Sequence, residues 1–328
     1  MLGKMKSIIG IGNAVTDILI PVPDNKILEK LCLSEGGMLH IDNERANAIT
    51  EVIDGMENKC IPGGSAANTV SVASSLGMKG GFIGKVGNDL IGDTYLYDLE
   101  TYGVLSHLYR GTLPSARSMV FVSQADGERT FATYLGAAME LKEAEIVPDF
   151  FDGYDYLHIE GYLLQCSGVV GKAMEIAKAK GLTISLDLGS CNMVERYFSL
   201  LHTLVDEYVD IVFANGEEAF SYTGKEGEAA ARDISGIGRE RIAVVKLGAK
   251  GSVVCRGEEL HRIGAEPVIV AETTGAGDAY AAGFLYAHSL GRSLHACGCA
   301  GAVMAAQVVG AVGPKIGKNG WEEVKNTL

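Results

Sequence analysis

The chain of 328 residues is long enough for a large hydrophobic core, and 47% hydrophobic against 21% charged residues is the composition of a folded protein. Its formal net charge of −13 disfavours nucleic acid and an anionic membrane surface as partners, because both would repel it. We therefore expect a small-molecule ligand.

The N-terminal apolar stretch SIIGIGNAVTDILI does not predict a membrane segment. Asn13 and Asp17 interrupt it, and it is too short to cross a bilayer. Seven cysteines, an odd number, favour free thiols over a disulfide framework. His295, Cys297 and Cys299 lie close in sequence but lack the second ligand pair that a zinc site needs. We expect a cytoplasmic protein, either a monomer or a homodimer.

Short β-rich runs and helical patterns follow one another along the chain. SIIGIG near the N-terminus and GGFIGKVG at 80–87 predict buried strands, and DILIPV and GMLHID within 16–61 predict shorter ones. SMVFVSQ and RTFATYL, joined across an Asp-Gly turn at 125–128, predict an antiparallel hairpin. From residue 154 onward, strands such as LTISLDL and DIVFAN alternate with helices such as SGVVGKAMEIAKAKG, which predicts a parallel, doubly wound sheet.

This order predicts an α/β fold with two parts. A mainly parallel sheet flanked by helices is assigned to residues 1–15, 62–104 and 137–328. The remaining segments, 16–61 and 105–136, are assigned to a small β-sheet lid inserted into the large domain.

The stretch ETTGAGDAYAAG, residues 272–283, carries the strongest chemical signal. Glycines that open a helix expose backbone amides to an anion such as phosphate. Asp278 would repel phosphate, so its placement is sensible for a base that takes the proton of an attacking hydroxyl. The alternative is that Asp278 only caps the helix.

Other polar segments are expected to meet this one. PGGSAANTVSVASSLG at 62–77 is a second glycine-rich turn opening a helix, although in isolation it could be a packing turn. GKVGNDLIGD at 84–93 adds another glycine-punctuated segment. Asn13, Asn215 and Gly248 each follow a predicted strand, and open α/β sheets bind ligands beyond the carboxyl ends of their strands.

Together with NGEE at 215–218 and KLGAKGS at 246–252, these motifs resemble, in the same order, the PfkB/ribokinase family of sugar and nucleoside kinases. The resemblance runs from about residue 7 to residue 313. It implies a ribokinase-like fold, ATP and Mg²⁺ as cofactors, and a nucleoside or sugar as the acceptor of the γ-phosphoryl group.

The resemblance also implies roles for individual residues. Asp278 matches the catalytic base, and Gly275, Ala276 and Gly277 match the anion hole. The motif of Asn215 and Glu218 organises magnesium and phosphate, with Glu218 acting on the metal through water; taken alone, it would be a strand-end turn and a solvated glutamate. The segment beside the nucleotide is matched by Lys246 and Gly248, and the acceptor site by Asn13, Asp17, Gly63, Gly64 and Asn68.

Two positions depart from the family pattern. Lys246 stands where threonine is common. Glu272 stands where aspartate is usual, in a neighbourhood that binds a monovalent cation such as K⁺ in parts of the family. Whether this protein depends on a monovalent cation therefore stays open.

The interval from Asn13 to Asp17 and the run GERTFATYLGAA are similar to the adenosine-kinase-like branch. That likeness favours the 5′-hydroxyl of adenosine as the acceptor, with Phe131 or Leu135 of the lid against the base. Ribose, fructose or another furanose is the alternative. A ligand sensor that has lost catalysis is the non-enzymatic alternative.

Two other nucleotide-binding classes fit the sequence less well. Gly10 and Gly12 follow the first strand as in a dinucleotide-binding fold, but Val15 occupies the position of the third glycine. A Walker-type kinase is disfavoured because G-x-x-x-x-G-K-[ST] does not occur.

Overall fold

The computed structural model describes residues 6–125, 127–236, 240–268 and 273–310. In chain order the strands are β1 (Ser7–Ile11), β2 (Val15–Val22), β3 (Met38–His40), β4 (Lys59–Pro62), β5 (Lys79–Val86), β6 (Val104–Arg110), β7 (Ala116–Ser123), β8 (Arg129–Tyr134), β9 (Tyr156–Glu160), β10 (Thr183–Asp187), β11 (Ile211–Asn215), β12 (Ile242–Lys246), β13 (Ser252–Arg256) and β14 (Glu259–Ile263). The α-helices are α1 (Lys26–Lys30), α2 (Asn43–Val52), α3 (Ser65–Leu76), α4 (Leu90–Thr101), α5 (Ser167–Ala179), α6 (Cys191–Arg196), α7 (Phe198–Glu207), α8 (Gly216–Thr223), α9 (Gly227–Ser235), α10 (Ala276–Ser289) and α11 (Leu294–Val309).

Nine of these strands form one sheet in the order β14-β13-β12-β11-β10-β9-β1-β5-β6. Pairing is parallel from β12 across to β6, and β13 and β14 add an antiparallel edge. The central strands are apolar and buried because helices cover both faces. The predicted doubly wound sheet is confirmed.

Two hydrophobic cores lie on opposite faces of this sheet. One joins the sheet to α3, α4, α10 and α11, with Phe82, Phe213 and Phe284 among its large buried rings. The other joins it to α5 through α9 and includes Leu157 and Leu186. Because α3 and α10 pack on the same face, their N-terminal turns meet at one edge of the sheet.

The second sheet has five strands in the order β3-β8-β7-β2-β4. Its β7 and β8 are antiparallel, which confirms the predicted hairpin; Asp126 of its turn lies outside the described residues. One face packs on α1 and α2 through Ile20 and Phe121. The opposite face turns toward the large domain, and Arg129 of β8 donates to Thr274 Oγ1 at 2.7 Å. This sheet is the smaller second sheet that the sequence predicts for the lid segments.

The predicted start of the second lid segment at residue 105 is wrong. Val104–Arg110 pairs in parallel with β5 and forms the edge of the nine-stranded sheet. The physical reason is the crossover helix α4, which returns the chain parallel to β5 and so completes a right-handed β-α-β unit. The lid strands of this region begin at β7.

The order in which the chain adds strands to the large sheet reverses between β1 and β9. From β1 the chain moves outward to β5 and β6, and from β9 it moves the other way through β10, β11 and β12. In open α/β sheets the crevice beyond the carboxyl ends at such a reversal is where ligands bind.

Among the described helices, none combines the length and apolar character needed to cross a membrane.

Candidate active site

The last residues of four adjacent parallel strands bring polar side chains to one edge of the large sheet. Glu160 ends β9 and Asp187 ends β10, in register with each other, and Asn215 ends β11 in register with Lys246 at the end of β12. Asn13 follows β1, the next strand along. Asn13, Asn215 and Gly248, which the sequence analysis placed just after predicted strands, line one cavity at this edge.

Helix α10 begins beside these strand ends. Gly275 is its N-cap, with φ 78°, a left-handed conformation that favours glycine. Because Gly275 is the cap, Asp278 is the third residue of the helix and lies in its first turn, and the alternative that Asp278 is only the N-cap is wrong. The first-turn amides of Gly277 and Asp278 have no acceptor within the helix, whereas the amide of Ala276 donates to Thr273 O at 3.2 Å.

Helix α3 holds the carboxylate of Asp278. Ser65 Oγ donates to Asp278 Oδ1 at 2.7 Å, and Asn68 Nδ2 donates to Oδ2 at 2.9 Å. Thr69 Oγ1 also donates to the backbone oxygen of Asp278 at 3.3 Å. Burial raises the pKa of Asp278 to about 6, while the hydrogen bonds from Asn68 and Ser65 work against that rise. A carboxylate with this pKa is ionised at neutral pH and readily takes up a proton.

Lys246 forms a buried ion pair with Asp187. Its Nζ lies 2.7 Å from Asp187 Oδ2, and the two side chains are 16% and 9% exposed. Burial works against its charge, but the carboxylates of Asp187 and Glu218 prevail and raise the pKa of Lys246. A Cβ placed on Gly277 would lie 3.0 Å from Nζ, so this cation sits directly beside the first turn of α10.

Asn215 and Glu218 form a reciprocal cap at the start of α8. Glu218 N donates to Asn215 Oδ1 at 2.9 Å, and Asn215 N and Nδ2 each donate to the Glu218 carboxylate at 2.7 Å. Glu218 is only 3% exposed, so the alternative of a solvated glutamate is wrong. Burial and the nearby Asp187 raise the pKa of Glu218, and Lys246 opposes them.

The oxygen groups of this edge fit a magnesium ion that keeps most of its water. Glu218 and Asp187 both line the same cavity, and their carboxylates supply the hard oxygen ligands that Mg²⁺ prefers. In the described ranges, no group of three or more His, Cys, Asp or Glu side chains could hold a metal ion. Such a site therefore depends on water and on substrate phosphate for its remaining ligands.

Glu160 ties the end of β1 to the start of α3. Its Oε1 accepts from Asn13 N at 2.8 Å and from Asn13 Nδ2 at 3.0 Å, and its Oε2 accepts from Ala66 N at 2.9 Å. Burial raises the pKa of Glu160 to about 7, although these hydrogen bonds oppose the rise. A Cβ at Gly12 would lie 2.4 Å from Glu160 Oε2. Gly12 thus makes room for this carboxylate, which explains the second glycine of the partial dinucleotide-binding pattern.

Two amide oxygens at this edge are buried without a partner. The Oδ1 atoms of Asn13 and Asn68 make no hydrogen bond in the described part of the molecule. The nitrogen of each amide is already held, by Glu160 for Asn13 and by Asp278 for Asn68. Buried acceptors of this kind are normally satisfied, so both atoms can accept a hydrogen bond from a bound ligand or from water.

Two cavities meet above the start of α10. One, of about 490 Å³, lies between the lid and the large domain and contains Asp278. The other, of about 500 Å³, lies beside α11 and is lined mainly by small apolar residues such as Ala302 and Ala306. Lys246, Gly248 and Gly277 line both. Groups bound in the two cavities would therefore approach each other at the N-terminus of α10.

Most of the predicted site residues come together here. The first cavity is lined by Asn13, Asp17, Gly64, Asn68, Asn215, Glu218, Lys246, Gly248, Gly277 and Asp278. Gly63 instead uses its backbone within the protein, donating to Val15 O at 2.9 Å and accepting from Tyr95 Oη at 2.7 Å. Glu272 lies outside the described residues. Cys297 Sγ donates to Arg292 O at 3.7 Å, whereas Cys299 Sγ contacts His295 Nδ1 at 3.7 Å.

Sequence reasoning missed three polar residues of this site: Ser65, Glu160 and Asp187. The last two close the runs YLHIE and TISLD, in which an acidic residue follows a buried strand. The same pattern, a polar residue at the end of a buried strand, pointed to Asn215 and could have pointed to these two residues. Ser65 lies in the glycine-rich motif at 62–77, but only its contact with Asp278 distinguishes it from its neighbours.

Comparison with known proteins decides the family. Residues 36–319 match the description pfkB family carbohydrate kinase. The chain belongs to the PfkB family. Among solved structures, this PfkB protein is similar to the adenosine kinase of Sinorhizobium meliloti, at 34% identity and a TM-score of 0.88, covering 99% of this chain and 100% of that one.

Two further relatives show the breadth of acceptors in this PfkB group. The structure of a probable sugar kinase from Rhizobium etli has 33% identity and a TM-score of 0.88 and covers 98% of both chains. A nucleoside kinase of Methanothermobacter thermautotrophicus is 28% identical over 281 residues, 83% of this chain and 85% of the relative. This PfkB protein is therefore a nucleoside or sugar kinase, a phosphotransferase with an alcohol acceptor. The family implies the use of ATP, generally with Mg²⁺.

Proposed function

We propose that the protein transfers the γ-phosphoryl group of ATP to the 5′-hydroxyl of a nucleoside, with adenosine as the preferred acceptor. The observation that carries this proposal is the pair of cavities that meet over Gly277, with Asp278 in the cavity under the lid. In-line transfer requires that donor and acceptor approach from opposite sides of one phosphoryl group.

The polar end of the lid cavity fits the hydroxyls of a ribose ring. The unpartnered oxygens of Asn13 and Asn68 accept hydrogen bonds, and Asp17 lines the same wall. A ribose bound there offers vicinal hydroxyl donors to these acceptors. The remaining hydroxyl, on C5, would face Asp278.

The other end of the cavity fits a flat apolar group. Met38, Phe131 and Leu135 line the cavity from the lid, and Tyr162 lines it as well. A free sugar needs the polar end alone, whereas a nucleoside also occupies an apolar slot. Similarity to the adenosine kinase of Sinorhizobium meliloti supports this choice, and the equally similar probable sugar kinase keeps a furanose as the alternative.

Each group at the junction has a role in the proposed reaction. Asp278 accepts the proton of the attacking hydroxyl, and its pKa of about 6 keeps it ionised at neutral pH. The amides of the first turn of α10 and Lys246 stabilise the charge of the transferring group. Glu218 and Asp187 would hold Mg²⁺, partly through water, and the bound ion would neutralise phosphate charge. Lid closure excludes water, which would otherwise compete as the nucleophile.

The proposal is tested by magnesium-dependent ADP release from ATP with adenosine, other nucleosides, ribose and fructose as acceptors. We expect the highest kcat/KM with adenosine and phosphate on its 5′-oxygen. Turnover with a free sugar at equal or higher kcat/KM would assign the acceptor to the sugars. Saturable acceptor binding without ADP release would contradict the catalytic assignment.

A further inference from the structure

Ser65 is a polar residue of the site that has none of the roles proposed above for the reaction. It is the first residue of α3, and its hydroxyl donates to Asp278 Oδ1 at 2.7 Å. The N-cap of this helix is Gly64, and the helix has no side-chain cap. The hydroxyl of Ser65 is therefore not needed to satisfy the start of its own helix.

The two donors to Asp278 differ in what else they do. Asn68 carries an unpartnered buried oxygen, so its amide can serve the base and the acceptor together. The Ser65 hydroxyl donates across 213 positions of sequence, to the carboxylate on α10.

We infer that Ser65 is a positioning residue for the phosphoryl transfer, holding the carboxylate of Asp278 in the orientation and charge state that a base requires. This inference rests on the proposed role of Asp278. A donor to Oδ1 stabilises the charged carboxylate, and it leaves the second lone pair of that oxygen for the incoming hydroxyl.

The charged groups around Asp278 determine how strongly its protonation depends on the hydrogen bond from Ser65. Asp187 on β10 raises the pKa of Asp278 and Lys246 on β12 lowers it, and on β9 the buried Glu160 interacts with it as well. On α3 the neighbours are the donors Ser65 and Asn68. With two carboxylates beside the base, loss of one donor shifts the balance toward its protonated, inactive form.

The test is the pH profile of kcat/KM for Ser65→Ala, Ser65→Thr and Ser65→Cys. For Ser65→Ala we expect the acidic limb to move to higher pH by about one unit, since a hydrogen bond to a charged group is worth roughly that shift. At pH 7 this shift alone should lower kcat about twofold, because about half of the base would be protonated, and loss of the carboxylate's orientation should lower it further, to about tenfold in all. The KM values for ATP and acceptor should change less than about threefold. Ser65→Thr should restore the wild-type limb, and the weaker thiol donor of Ser65→Cys should give an intermediate position.

Ser75→Ala is the matched control, because Ser75 lies on the same helix and its hydroxyl donates within that helix, to Ser71 O at 2.9 Å. It should leave the profile unchanged. An unmoved acidic limb in Ser65→Ala would overturn the inference, and so would a rise in acceptor KM with kcat unchanged. Asp278→Asn separates the two assignments: if it retains turnover, the base itself is misassigned, whereas an inactive Asp278→Asn with a normal Ser65→Ala rejects only the role of Ser65.

Discussion

Replacement of Lys246 by methionine tests the electrostatics of the site. The change keeps the length of the side chain but removes the cation that lies 2.7 Å from Asp187 Oδ2. The carboxylates of Asp187, Glu218 and Asp278 all interact with Lys246, so the variant leaves three acidic groups without this neighbouring positive charge. We therefore expect lower stability as well as lower activity.

The magnitude follows from burial. Removing one partner of a buried pair costs about 3–5 kcal/mol, whereas an exposed pair contributes about 0–1 kcal/mol. The pair is 16% and 9% exposed, so water reaches it only slightly, and we expect a loss of about 2–4 kcal/mol. The double variant Lys246→Met with Asp187→Leu removes both charges and should recover at least about 1 kcal/mol of that loss.

Urea unfolding at pH 7 measures these differences, with Lys225→Met as the control. Lys225 and Asp233 also lie 2.7 Å apart, but their side chains are 50% and 43% exposed. We expect Lys225→Met to change the unfolding free energy by less than about 1 kcal/mol. A Lys246→Met variant no less stable than Lys225→Met, or a double variant no better than the single one, would refute the reasoning.

Three further predictions concern the base, the support of the site and the acceptor slot. Because Asp278 acts in its ionised form and has a pKa of about 6, kcat/KM should be on a plateau above that pH and fall about tenfold per unit below it; a flat profile down to pH 5 would contradict the assignment. Gly12→Ala places a methyl group 2.4 Å from Glu160 Oε2 and should destabilise the fold by about 1–3 kcal/mol in urea unfolding, whereas Gly171→Ala, with nothing within 4 Å of its Cβ, should not. Phe131→Ala should raise the KM for adenosine by about tenfold or more and leave that for ribose nearly unchanged; equal effects on both would argue against an apolar base slot.

Local sequence patterns were sufficient for the sheet and for the main chemical groups of the site. Apolar strands alternating with amphipathic helices predicted the parallel sheet, and a glycine turn before Asp278 predicted a helix start with exposed amides. Asn13 and Asn215 were found because a polar residue directly after a buried strand marks the ligand-binding edge.

What the sequence did not reveal depends on which elements become neighbours in space. Glu160 and Asp187 end their strands like Asn215, but their pairing with Asn13 and Lys246 requires the strand order. The contact of Ser65 with Asp278 requires α3 and α10 to begin side by side. Strand β6 was misassigned because its mostly half-buried residues are typical of an edge strand in either sheet.

The central claim is that Asp278 is the base of a phosphoryl transfer to an alcohol, and its most direct test is the steady-state kinetics of Asp278→Asn with ATP, Mg²⁺ and adenosine. Asparagine keeps the size of the side chain and removes its ability to take a proton. The account predicts a kcat about 10²- to 10⁴-fold lower with acceptor and ATP binding largely retained. A kcat within a few-fold of wild type would contradict it.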